Sequence, residues 1–111
     1  NPNLIRSSLG SIFNLKIVSM KTDDTLDFLK DNKFKIYATS LCSKNTIEKI
    51  KFSNSSAIVL GSESSGISKF WMNNADQSIK IPMLGLVDSL NVSVSAAITL
   101  YEVNRQNNFK R

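Results

Sequence analysis

Apolar residues recur along this chain in two rhythms, helical spacing and short β-branched runs, and the two alternate. Ile5, Leu9, Ile12 and Phe13 share one helical face behind Asn1-Pro2, an N-cap followed by a proline in the first turn. Gly10 either ends that helix or permits a close contact. Leu15-Lys16-Ile17-Val18 predicts a strand. A second helix, capped by Thr22 or Asp23, runs to about Asn32 and buries Leu26 and Leu29, with acidic residues in its first turn and Lys30 near its end. Phe34 to Thr39 reads as a strand, and Asn45 to Lys51 as a weak basic helix or turn with Ile47 and Ile50 inward. Ser56 to Leu60 is a nearly continuous apolar run ending at Gly61, the pattern of a strand buried on both faces. Ser64-Ser65-Gly66 leads into a short helix to about Asn73 carrying Ile67, Phe70, Trp71 and Met72, and Ser78 to Ile81 is a last strand stopped by Pro82. The longest helical pattern, Val92 to Asn107, places Val94, Ala97, Ile98 and Tyr101 on one expected buried face. Four strands alternating with helices predict an α/β domain, with a mostly parallel sheet and helices on both faces.

Composition narrows the chemistry. The 111 residues form one domain at most. Fourteen Lys and Arg against nine Asp and Glu give a net charge of +5, which favours an anionic partner, nucleic acid first; a merely soluble basic domain is the alternative. There is no histidine, so no Ser-His-Asp or Cys-His machinery lies within the chain, and with Cys42 the single cysteine no zinc site is expected. One cysteine also fits a reducing compartment, and a cytoplasmic location is expected. Cys42 reads as a strand-terminating residue rather than a reactive thiol. No apolar run approaches the roughly 20 residues of a membrane span. The chain starts at Asn1 without methionine, directly on a capping pattern, and reads as a piece of a longer protein.

Three segments carry candidate chemistry. In IVLGSESSGIS, residues 58–68, Gly61 lets backbone approach a ligand and Glu63 places a carboxylate just beyond a strand's carboxyl end. The glycine spacing is that of a phosphate loop, but no Lys-Ser/Thr follows Gly66, so a Walker A reading fails. In IPMLGLVDSLN, residues 81–91, Asp88, Ser89 and Asn91 compete for one helix start, and one cap would suffice. In NPNLIRSSLGSIF, residues 1–13, Arg6, Ser7 and Ser8 either contact phosphate or form a solvated helix face.

These segments, taken with the continuation IPMLGLVDSLNVSVSAAITLYEVNRQ, resemble the carboxyl half of a SpoU/TrmH-type RNA methyltransferase of the SPOUT class over residues 1–106. The resemblance implies a trefoil-knotted domain lacking its amino-terminal part, an exception to the usual avoidance of knots. It implies S-adenosylmethionine held in the knotted loops by Leu60, Gly61, Ile81, Met83 and Leu90. The implied reaction is methyl transfer to a ribose 2′-hydroxyl of rRNA or tRNA, without a metal, by a homodimer. Glu63, Ser89 and Asn91 fall on the family's functional motif positions. Glu63 and Asn91 are expected to position substrate and neighbouring groups, and Ser89 to offer a hydroxyl near the target. One departure stands out: the family's early asparagine-then-arginine motif is only superficially mimicked by Asn1 and Arg6, so no catalytic role transfers to Arg6. A basic RNA-binding module that keeps the fold without catalysis is the competing reading, and an ordinary nucleotide-binding α/β domain the third.

Overall fold

The computed structural model describes residues 18–62, 66–82 and 91–109. In chain order they form helix α1 (Thr22–Asp31), strand β1 (Lys35–Thr39), a 3-10 turn (Ile47–Lys49), strand β2 (Ser56–Val59), helix α2 (Lys69–Asn74), strand β3 (Gln77–Ile79) and helix α3 (Val92–Gln106). The helix expected within residues 1–13, and residues 15–17 of the first expected strand, lie outside the described residues. Val18 is exposed and outside any strand.

The three strands form a parallel sheet in the order β2-β1-β3, so the α/β expectation holds. The strand buried on both faces is β1, where Ile36, Tyr37 and Ala38 are all sealed from solvent. β2, expected in that role, is half-buried throughout, because among the described residues it is an edge strand. β3 ends earlier than expected, since Lys80 leaves the ladder to bridge Thr46.

Parallel strands need crossover connections. The chain leaves β1 for β2 through the 3-10 turn, then passes back beyond β1 to β3 through α2. Right-handed crossovers that step in opposite directions lie on opposite faces of a sheet. On the Tyr37 side, Tyr37, Ile47, Ile50, Phe52 and Ile79 form the core, with Ile58, Ile81 and Val103 packed on it. The Tyr37 and Phe52 rings meet at 4.7 Å, and the Tyr37 phenol accepts a hydrogen bond from the Ser53 amide at 3.0 Å. That bond gives a buried hydroxyl its partner and pins the crossover to the central strand.

Helix boundaries follow their caps. α1 is capped by Lys21, without a side-chain bond, rather than by Thr22 or Asp23. Thr25 donates both its amide and its hydroxyl to the Lys21 carbonyl. Leu26 and Leu29 are half-buried instead of buried. α2 starts at Lys69 because Ser68 caps it, its Oγ accepting from the Trp71 amide.

α3 departs most from expectation. Its sealed residues are Ala96 and Thr99, with Val103 on the core, whereas Val94, Ile98 and Tyr101 are 44%, 38% and 60% exposed. At 3.6 residues per turn these two stripes lie on roughly opposite sides of the helix. The last turn is locked by a polar network. The Gln106 amide donates to the Ile50 carbonyl at 2.7 Å and to Glu102 at 2.9 Å, while its oxygen accepts from the Phe52 amide at 2.8 Å. Arg105 binds Glu102 through two hydrogen bonds of 2.7 and 2.8 Å. This pairing holds the Glu102 carboxyl at about 2, against an ordinary 4.5, and raises the Arg105 guanidinium.

Candidate functional site

The sheet's strand order reverses at β1, and open α/β sheets place ligands at the carboxyl ends of strands beside such a reversal. The first strand end there is Leu60-Gly61, beyond β2. Leu60 is half-buried, and Gly61 sits where the chain doubles back on itself: a Cβ on it would lie 2.3 Å from the Gly66 carbonyl carbon and 2.4 Å from the Ile67 amide. Ser62 and Gly66 exchange two backbone hydrogen bonds of 3.0 and 2.9 Å, closing the loop. Gly66 turns it with φ +69, a conformation that suits glycine. The close approach read from the sequence as room for a ligand is therefore occupied, at Gly61's own Cβ position, by the chain's own backbone.

Ile81, half-buried, marks the second strand end, beyond β3. Between the two lies Thr39 at the end of β1, whose hydroxyl donates to the Val59 carbonyl at 3.3 Å. The following loop is stitched to β3. Ser40 donates its amide to the Ile79 carbonyl at 2.9 Å, and the Ser78 hydroxyl donates to Ser43 Oγ at 3.0 Å. The Asn45 side chain donates to the Ser78 carbonyl at 3.2 Å, and the Lys80 amide donates to the Asn45 carbonyl at 2.8 Å. The Thr46 hydroxyl then bonds the Glu48 carboxylate, the main cause of that group's lowered pKa. Sequence reasoning missed this loop, although ATSLCSKN carries the signal used elsewhere: small polar residues straight after a buried strand. Cys42, exposed in the same loop, lies beyond the strand end rather than on it.

The structure thus brings Leu60, Gly61 and Ile81 to one end of the sheet. Asn91 is not at a strand end: it opens α3 as its N-cap, Oδ1 accepting from the Ser93 amide at 2.7 Å. Of the three competing caps, Asn91 holds the position. Glu63, Met83, Ser89 and Leu90 lie outside the described residues. Among the described residues no cluster of His, Cys, Asp and Glu could hold a metal, and no helix is long and apolar enough to cross a membrane.

Comparison with known proteins gives a consistent result. The SpoU rRNA Methylase family matches residues 1–101. The tRNA (guanosine(18)-2′-O)-methyltransferase of Thermus thermophilus is 44% identical over 80 residues, 71% of this chain and 41% of that protein. An uncharacterised tRNA/rRNA methyltransferase of Borreliella burgdorferi is 37% identical over 110 residues, 97% of this chain and 48% of that protein. The crystal structure of an RNA 2′-O ribose methyltransferase superposes with a TM-score of 0.82 at 36% identity, over 96% of this chain and 42% of the other. That of the SpoU methyltransferase AviRb from Streptomyces viridochromogenes, in complex with the cofactor AdoMet, gives 0.82 at 27% identity, over 99% and 46%. The chain spans less than half the length of each of these relatives.

Proposed function

Because the chain belongs to the SpoU rRNA methylase family, we propose that it is part of an enzyme transferring a methyl group from S-adenosylmethionine to a ribose 2′-hydroxyl of rRNA or tRNA. The observation that carries the reading is the carboxyl end of the sheet. There the half-buried apolar Leu60 and Ile81 flank backbone that has left the strands, beside the close approach of Gly61 to Gly66 and Ile67. Apolar walls with extended backbone edges fit a flat, partly apolar base. Leu60, Gly61 and Ile81, joined by Met83 and Leu90, would hold the cofactor, whose sulfonium supplies an electrophilic methyl carbon without a metal.

What the chain's residues then supply is alignment and help in removing the hydroxyl proton. Asn91 and Glu63 position substrate and neighbouring groups, an ionised Glu63 also attracts positive charge, and Ser89 offers a hydroxyl near the target. The loops around these residues form the trefoil knot of the SPOUT fold. The protein works in the cytoplasm, where rRNA and tRNA are modified, as a homodimer whose contact includes the exposed Val94, Ile98 and Tyr101 face of α3.

Calorimetry with S-adenosylmethionine tests the pocket: saturable binding is expected, and no heat at millimolar ligand would refute it. Asn91 requires a paired test because it caps α3. Asn91→Ala removes both amide and cap, at a cost of about 1 kcal/mol to the helix, whereas Asn91→Ser keeps a good cap. Methyl transfer to RNA by the full-length protein is expected to fall at least about tenfold in both variants, a barrier change of about 1.4 kcal/mol. Normal transfer by Asn91→Ser would reduce Asn91 to a cap. Cofactor binding and RNA binding without transfer would favour the non-catalytic module.

A further inference from the structure

α1 carries Asp23, Asp24, Asp27 and Asp31, with Lys30 in its last turn and Lys21, Lys33 and Lys35 flanking it, so the charges around it balance. Beyond α1 lysines outnumber carboxylates among the described residues, and two lie on adjoining backbone where the 40–46 loop is fastened to β3. Lys44 immediately precedes Asn45, whose carbonyl accepts from the Lys80 amide, and Thr46 pairs with Lys80 as a parallel bridge. Lys44 is exposed and Lys80 half-buried. Among the described residues neither ammonium forms an ion pair, the only salt bridge being Arg105–Glu102. The carboxylates nearest to them in sequence are engaged elsewhere, Glu48 by the Thr46 hydroxyl and Asp76 by the Ile36 amide.

The loop that carries Lys44 is held at both ends and in its middle by bonds from Ser40, Ser43, Asn45 and Ser78. A basic loop fixed before binding has little conformational entropy left to lose. It also borders the strand ends where the cofactor is proposed to sit. We infer that the 40–46 loop, through Lys44 together with Lys80, is a preformed docking surface for the RNA phosphate backbone. This rests on the reading of RNA as substrate and adds to it a place of entry. Unpaired lysines attract a polyanion, so RNA is drawn to this loop before any base is read.

The test is a titration of the full-length protein with unfractionated tRNA across a series of salt concentrations. Removing one lysine–phosphate pair lowers the slope of log affinity against log salt by about 1. The double variant Lys44→Ala/Lys80→Ala is expected to bind at least about tenfold more weakly at about 0.1 M salt, with a slope reduced by about 1 to 2. Lys30→Ala on α1 should leave both unchanged, and S-adenosylmethionine affinity should be unchanged in all variants. Wild-type affinity and slope in the double variant would overturn the docking surface while RNA remains the substrate. If the wild-type protein itself does not bind tRNA even at low salt, the RNA reading and this inference fall together.

Discussion

Gly61 has no room for a side chain, because the Gly66 carbonyl carbon and the Ile67 amide already stand 2.3 and 2.4 Å from where a Cβ would be. Backbone cannot swing aside as a flexible side chain can. Gly61→Ala is therefore expected to destabilise the protein by about 1 to 3 kcal/mol, read as a lowered midpoint in urea. A variant of wild-type stability would mean that the loop opens freely. The sequence made Gly61 conspicuous but could not say what approached it, since a tight return of the chain and a ligand contact place the same demand on a glycine. Asn91 was similarly ambiguous among three possible caps, and its bond to the Ser93 amide resolves the choice. Thr99 was invisible altogether: a threonine in mid-helix gives no sign that it will be sealed, its hydroxyl lacking a partner among the described residues.

Among the elements, α3 shows why a hydrophobic stripe can mislead. Val94, Ile98 and Tyr101 outrank Ala96 and Thr99 in apolarity, yet the small residues face inward. Close packing against a sheet selects for size and shape as well as for hydrophobicity, so a stripe read by apolarity alone can face the wrong way. The lock on its last turn has a pH signature. Glu102 has a folded pKa of about 2, below the ordinary 4.5 that an unfolded chain would show. A depressed carboxylate stabilises the fold above the unfolded pKa, and that contribution is lost as pH falls through the folded one. Thermal melts are thus expected to show falling stability between about pH 4.5 and 2, with Glu102→Gln flattening that part of the profile; parallel curves would show that the pair contributes nothing. β1 and Ile47 and Ile50 were legible because their patterns are local. The status of β2 was not, since being an edge strand depends on which neighbours arrive from elsewhere.

For the whole molecule, alternating elements sufficed to predict a parallel α/β sheet, but not the order β2-β1-β3, which depends on crossovers rather than on any one segment. The exposed α3 face makes a testable demand at this scale. If it forms the proposed homodimer, Ile98→Glu buries a charge at the contact and should weaken association by about a hundredfold, roughly 3 kcal/mol, in sedimentation equilibrium. Unchanged dimerisation would remove that face from the interface. The Gln106 bonds to Ile50 and Phe52 have a further consequence, for the order of events in folding. They join positions 54 and 56 residues apart in the chain, whereas the neighbouring 3-10 turn closes over three. Contacts between distant positions must overcome a larger closure entropy, so they tend to form after local ones. On a ribosome the strands and the 47–52 segment emerge long before Gln106 can reach them. The segment leading into β2 is therefore fastened last, and a chain ending before position 106 would lack that clasp.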